Sequence, residues 1–335
     1  MALAQDLPFS QFYASSLFLN PAYAGASDAI SLTVNYRQQP QNINVTNNLQ
    51  QVSALMPIYK GSVSENKLGG FGITLFNQAQ GPAGTLKTQG AMLSLAKTFH
   101  FDLFGPEFFV VGVQGGMTRK SIDLDGLLWG SMNTPFLPEG FDPTLPNPGA
   151  QFEDNVTTPF INAGILYQFN PKRDYLLYSA SYFSGITVNN ISRPNQSFTS
   201  TNPYKAPILL KYHGGFEFVL NPQFRVSPNV ILTYQSTSLQ ANIGGYVSYD
   251  FQAGDVQNFD DNLMIVGGIW YRLRDSFIFL VGISRQRYRI GISYDLNKLS
   301  GNNQRNETLQ QAFELSLNFV LKTRQTSGRF SNPLF

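Results

Sequence analysis

The sequence predicts an all-β protein: a transmembrane, antiparallel, up-and-down β-barrel of about 14 strands with an N-terminal periplasmic or plug segment. Three observations lead there. Charge is scarce, strand-length stretches alternate apolar with polar residues, and no apolar run is long enough for a spanning helix. Charged residues make up 13% of the 335, about half of the roughly 25% usual in soluble domains. Aromatics reach 14%, with 28 Phe and 16 Tyr. A surface this poor in charge is built to meet something other than water. The net charge of +2 does not suggest a polyanion-binding surface. The absence of cysteine excludes disulfides, thiolate metal sites and a cysteine nucleophile.

The longest apolar runs, Phe108–Val113 and Phe277–Ile283, fall far short of a spanning helix, whereas a tilted barrel strand needs only about 9–11 residues. Alternation is the mark of a strand with two different faces. Leu263, Ile265, Gly267, Ile269 and Tyr271 share one face. Tyr288, Ile290, Ile292 and Tyr294 oppose Arg287, Arg289, Gly291, Ser293 and Asp295. Phe313, Leu315, Leu317, Phe319 and Leu321 oppose Ala312, Glu314, Ser316 and Asn318. Leu210, Tyr212, Phe216 and Phe218 oppose Lys211, His213 and Glu217. Phe277–Ile283 is apolar on both faces and leaves its orientation open.

Strands are expected near 31–37, 49–57, 68–77, 89–99, 107–119, 158–168, 175–184, 209–220, 225–235, 240–250, 262–272, 276–285, 287–295 and 311–321. The even number suits a single-chain outer-membrane barrel with both termini in the periplasm. Stretches 38–48, 78–88, 120–157, 185–208 and 296–310 read as long polar outer loops; Asn170–Asp174 and Asn221–Phe224 read as short turns. Segment 251–261 is long where a short turn is expected. The division is a signal-peptide remnant over 1–4, an N-terminal motif segment over 5–29, the barrel over 30–322 and a periplasmic tail over 323–335. Soluble tandem sandwiches also alternate; low charge and tyrosines near strand ends, where membrane interfaces gather aromatics, favour the barrel.

Nothing in the sequence supports catalysis. His100 sits beside a turn and His213 on a polar strand face, and neither belongs to a His-x-x-x-His, Gly-x-Ser-x-Gly or phosphate-loop pattern. Asp123–Gly126 has a calcium-loop-like order without the downstream glutamate and reads as a solvated turn. No cofactor is expected. Lys211, His213, Glu217, Arg287, Arg289, Asp295 and Glu314 are candidate lumen-facing polar residues. Arg287, Arg289, Asp295 and Glu314 either line a solute-selecting lumen or pair across adjacent strands of a filled barrel, and the second is favoured.

The N-terminal stretch Phe9–Gly25, FSQFYASSLFLNPAYAG, is too aromatic for a disordered leader. Followed by SLTVNYRQQP, it resembles the start of the PorP/SprF family of type IX secretion system outer-membrane proteins. The resemblance rests on Leu19, Asn20, Pro21, Ala22, Tyr23, Ala24 and Gly25, then Tyr36 and Arg37. It continues through Lys67–Gly81, Val111–Asp123, Ala163–Phe169, Gly267–Ile283, Ile290–Ser300 and Phe313–Phe319. One departure is that Arg37–Pro40 lacks the tryptophan often found in that stretch. The resemblance implies a non-enzymatic protein of the Bacteroidota outer membrane. It would dock or anchor secreted type IX substrates, such as gliding adhesins, at the cell surface. It would also contact periplasmic type IX or peptidoglycan-binding lipoprotein components. Leu19, Asn20, Pro21, Ala22, Tyr23, Gly25, Tyr36 and Arg37 would be the docking motif, and no nucleic acid is involved. The rival function is a solute channel of the fatty-acid-transporter type with an N-terminal plug; an outer-membrane enzyme ranks below both.

Overall fold

The computed structural model describes residues 9–27, 29–42, 45–60, 67–82, 84–101, 107–123, 131, 133, 153–169, 180–199, 203–221, 223–251, 263–285, 287–297 and 310–321. Two single helical turns come first, α1 (Ser16–Leu19) and α2 (Tyr23–Ala26). The strands are β1 (Ile30–Asn42), β2 (Val45–Tyr59), β3 (Lys67–Pro82), β4 (Leu86–His100), β5 (Glu107–Ile122), β6 (Asn155–Phe169) and β7 (Ala180–Asn189). They continue with β8 (Leu209–Val219), β9 (Phe224–Gln235), β10 (Ser238–Asp250), β11 (Leu263–Arg272), β12 (Ser276–Arg285), β13 (Tyr288–Asn297) and β14 (Gln310–Leu321). Each pairs antiparallel with its sequence neighbours, and β1 pairs with β14 to close the barrel. Closure sets Ile30 opposite Leu321 and Arg37 opposite Glu314, so the sheet has no free first or last strand. The end where β1 begins and β14 finishes is called the terminal end here, and the other the distal end.

Faces are inverted relative to a soluble protein. On β14, Phe313, Leu317 and Leu321 are exposed while Glu314, Ser316 and Asn318 are buried. Leu32, Leu75, Leu93, Val113, Ile161 and Val281 also point outward, and Thr33, Thr74, Ser94, Gln114 and Asn162 inward. That arrangement is unfavourable in water and favourable in hydrocarbon, where the closed ladder also pairs the backbone. The ambiguous run on β12 resolves: Phe277, Phe279, Val281 and Ile283 face out, and Ile278 and Leu280 pack inside.

Several boundaries differ from the sequence reading. The expected loops 38–48 and 78–88 are mostly strand: β1 runs to Asn42, β2 starts at Val45, β3 runs to Pro82 and β4 starts at Leu86. Polarity there marks departure from lipid, not from the ladder, because a hairpin can project into water with its backbone still paired. Gln38 opposite Asn48 and Gln39 opposite Asn47 continue it. Residues 185–189 likewise belong to β7. The turn at Asn221 has a local cause: its side-chain oxygen accepts the Gln223 and Phe224 amides at 2.9 and 2.8 Å. Segment 252–262, most of 124–152, and the stretches 1–8, 170–179, 298–309 and 322–335 lie outside the described residues, so the turn at Asn170–Asp174, the misfit segment and the C-terminal tail do too.

Candidate functional site

The lumen is occupied by the chain's own N-terminal segment. Residues 9–25 are buried except for partly exposed Phe12, Ser16 and Phe18. They run from a charged cluster inside the wall to the terminal end, where β1 begins.

At the cluster, Glu314 accepts two consecutive plug amides, Ser10 N–H on Oε2 at 2.7 Å and Gln11 N–H on Oε1 at 3.1 Å. The Ser10 hydroxyl lies between Asp295 and the Arg37 guanidinium, bonded to both. Arg37 also pairs with Asp295 at 2.9 Å and Glu314 at 3.4 Å. Arg272 stands 4.0 Å from Asp295 and reaches Asp275 at 3.2 Å. Gln11 Nε2 donates to the carbonyls of Gly291 and Glu314. Four strands thus converge on a two-residue stretch of plug, and the charges neutralise one another where water is excluded.

The middle of the plug packs on aromatics. Tyr13 meets Phe183 edge-on at 5.7 Å, lies 6.3 Å from both Tyr246 and Trp270, and donates its hydroxyl to Asn229 Oδ1 at 3.2 Å. Phe12 lies against Trp270, and Phe18 against Phe76. Burial, with added repulsion from the Tyr23 and Tyr246 phenols, pushes the Tyr13 phenol well above its ordinary pKa; burial alone pushes Tyr23 up.

The Asn20–Pro21 step separates the two helical turns. Asn20 is extended, as the residue before proline prefers. Its Oδ1 accepts the Ala22 amide at 2.9 Å, and its Nδ2 donates to Ile165 O at 2.9 Å and to His213 Nε2 at 3.1 Å. An amide nitrogen only donates, so His213 Nε2 is the acceptor and the ring proton sits on Nδ1, 3.4 Å from the Tyr23 hydroxyl. The Tyr23 ring also stacks on His213 at 5.4 Å. Glycines make room for this contact: a Cβ at Gly164 would overlap the Asn20 side chain, and one at Gly112 the Ala22 backbone. Wall donors hold the plug's carbonyls: Gln114 to Leu17 (3.2 Å), Lys211 to Phe18 (2.8 Å), Thr187 to Leu19 (3.1 Å), Thr98 to Gly25 (2.8 Å) and Lys67 to Ala26 (2.9 Å).

Of the residues singled out in sequence, Lys211, His213, Glu217, Asp295 and Glu314 point inward and are buried. Lys211, His213, Asp295 and Glu314 touch the plug, and Glu217 has an interaction of its own. Arg287 does not face the lumen: it is exposed at the turn between β12 and β13, one residue before the ladder begins. Arg289 is half-buried and donates to Ser284 Oγ at 3.3 Å. The expected pairing of these two arginines with Asp295 and Glu314 is therefore corrected. The cation that neutralises both carboxylates is Arg37, from the barrel's closing strand pair. Leu19, Asn20, Pro21, Ala22, Tyr23 and Gly25 all lie in the plug; Tyr36 points outward from β1 and Arg37 inward. Sequence reading missed Ser10, Gln11, Lys67, Thr98, Gln114, Thr187 and Arg272. The inward parity of each strand residue was visible, but what the plug would place beside it was not. Among the described residues, no group of three or more His, Asp or Glu is arranged to hold a metal.

Fold and lumen together define a plugged outer-membrane β-barrel. The family model described as type IX secretion system membrane protein PorP/SprF matches residues 2–319. The chain belongs to that family. Among solved structures it is similar to the Ralstonia pickettii toluene transporter TbuX, at 11% identity over 96% of each chain with a TM-score of 0.51. It is also similar to the CymD monoaromatic hydrocarbon channel, at 10% identity over 97% and 95% of the two chains with a TM-score of 0.49. A Pseudomonas aeruginosa FadL homologue matches at 12% over 94% and 95%, with a TM-score of 0.46. At such identity the likeness to TbuX is one of fold. No curated protein matches the sequence.

Proposed function

We propose that this barrel docks secreted type IX substrates, such as surface adhesins of the gliding machinery, at the outer face of the outer membrane. Its terminal end faces the periplasm and meets type IX or peptidoglycan-binding lipoprotein components there. Family membership supports the secretion context, and the filled lumen supports docking over solute transport. The single observation that carries the choice is how the plug is held, since a plug as such is common to both readings: it is pinned by Glu314, Lys211, Lys67 and His213, which leaves those groups engaged with protein, not solute. The motif residues Asn20 and Tyr23 are committed to the wall, so direct docking through them requires the plug to leave.

Affinity capture from detergent-solubilised outer membranes tests the reading. The intact protein should retain type IX components and at least one secreted substrate, and reconstituted into planar bilayers it should stay closed. Steady conductance with no co-purifying type IX component would overturn docking in favour of the channel.

A further inference from the structure

Strand β6 pairs with β5 from Ser121–Asn155 down to Glu107–Phe169. Its other edge pairs with β7 only from Ala163–Val188 to Phe169–Tyr182. Beyond that point the chain turns off. Ile191 N–H still donates to Ile161 O at 2.9 Å, and the next return to this edge is Glu153 N–H to Phe198 O at 2.8 Å. Between those bonds, the same-facing backbone groups of Asn155 and Thr157 and the carbonyl of Pro159 have no partner among the described residues.

Continuing β7 straight upward would have paired them. Instead, Asn190 and Arg193 take left-handed φ values of 58° and 44°, which L-residues disfavour. The departing loop is then held inward: Pro194 is buried and accepts the Ala206 amide at 2.8 Å, and Gln196 accepts the Lys120 ammonium of β5 at 2.7 Å. These contacts thus hold the loop off an edge that it could have covered, and offset the cost of the two left-handed residues.

Position decides what the edge can meet. Ile161 is the last outward apolar residue of β6; above it Pro159, Thr157 and Asn155 are exposed, and Thr157 stands opposite exposed Arg119. Unpaired backbone is excluded from hydrocarbon; exposed Met117 still faces outward opposite Pro159, so it is the stretch above, Thr157 and Asn155, that lies beyond the apolar band, in water. Proline at 159 fits an edge, since its missing N–H falls on the side with no neighbour.

We propose that this edge of β6 is a strand-addition site for a short extended segment of a secreted protein arriving from the aqueous side. The slot between Glu153 and Ile161 takes about five residues. Backbone bonds would supply affinity. Alternation would supply selectivity: apolar or β-branched residues beside Val156, Thr158 and Phe160, and small polar ones beside Asn155 and Thr157. The proposal deepens the docking reading by naming its surface, and rests on it only for the partner being a secreted chain.

Residue-resolved hydrogen exchange on the full-length protein in detergent tests the edge without any type IX partner. The probe is a short alternating Thr-Val peptide. The Thr157 amide should exchange freely in the protein alone and slow by about tenfold or more with the peptide. The same peptide N-methylated along its pairing edge should leave it unchanged. Protection before peptide is added would show that the chain covers its own edge and would overturn the proposal, as would absent slowing or equal slowing by the methylated peptide. Thr157→Pro removes a donor that the barrel does not use and should keep the barrel intact while abolishing peptide protection at Asn155. In cells it should reduce substrate display and spare the capture of periplasmic components. If no type IX component is captured, docking fails while the exchange result still stands by itself.

Discussion

Arg37 carries more of this structure than its place in a strand suggests. It neutralises Asp295 and Glu314 and orients the Ser10 hydroxyl, with no more than 2% of any of these three charged side chains exposed. Removing one member of a buried, hydrogen-bonded charge group leaves its partners uncompensated, typically at about 3–5 kcal/mol. Arg37→Ala should therefore lower the heat-unfolding midpoint in gel-shift assays far more than substitution of exposed Gln38. An equal, small effect of the two would show the cluster to be hydrated. The buried phenols give a second expectation. Free tyrosines ionise near pH 10, about where the unplugged chain would release these protons. Tyr13 and Tyr23 are raised in the folded state, so above about pH 10 the unplugged chain holds fewer protons than the plugged one. The stabilisation is complete below that pH and is lost as pH rises toward the folded values. Plug release, read by labelling a cysteine placed at Ala24, should begin above about pH 10 together with tyrosinate absorbance. The double substitution Tyr13→Phe, Tyr23→Phe should weaken that dependence, the part that remains coming from the Lys67 and Lys211 ammonium groups that hold plug carbonyls.

At the scale of elements, the plug and the wall were shaped to one another. Phe9, Tyr13, Leu17, Leu19 and Tyr23 are buried, each worth roughly 1.5–3 kcal/mol of apolar transfer. The barrel's own ladder does not pass through the plug, because β1 closes directly on β14. Deleting residues 9–25 should accordingly leave an inserted, heat-modifiable barrel that conducts ions in planar bilayers, since Lys67, Lys211, Asp295 and Glu314 would then line an open lumen. A truncated barrel that inserts but stays closed would mean that other segments fill the space; failure to insert would make the plug a folding element. Gly164→Val should imitate the deletion in part, by driving the Asn20 side chain from its place against the wall.

For the whole molecule, an apolar belt around a polar interior predicts a membrane-fraction protein that resists carbonate extraction and shifts on gels only after heating. Release of a folded monomer without detergent would contradict the belt. With the terminal end in the periplasm, an epitope inserted near Asn195 should be labelled on intact cells. Labelling only after permeabilisation would reverse the proposed orientation.

Strand number, antiparallel order and, within the ladder, inward or outward facing were legible in the sequence, because a period of two along a strand is a local property that lipid on one side enforces; Arg287 was misplaced because it lies in a turn, outside the ladder. Even the double-apolar run at Phe277–Ile283 needed only its neighbours to choose a face. The N-terminal motif announced itself through Asn20, Pro21 and its aromatics, which sequence could read as material meant to be buried. Where it is buried was a tertiary decision. Local sequence cannot say that Asn20 would meet Ile165 and His213, or that Glu314 would hold the amides of Ser10 and Gln11 some 300 positions earlier. The same limit explains Arg37. Its parity sent it inward, but its partners came from barrel closure, which brings β1 beside β14 and β13 within reach. The open edge of β6 was equally invisible, since it arises where β7 stops and the loop after it is held inward, a matter of how neighbouring strands end in space.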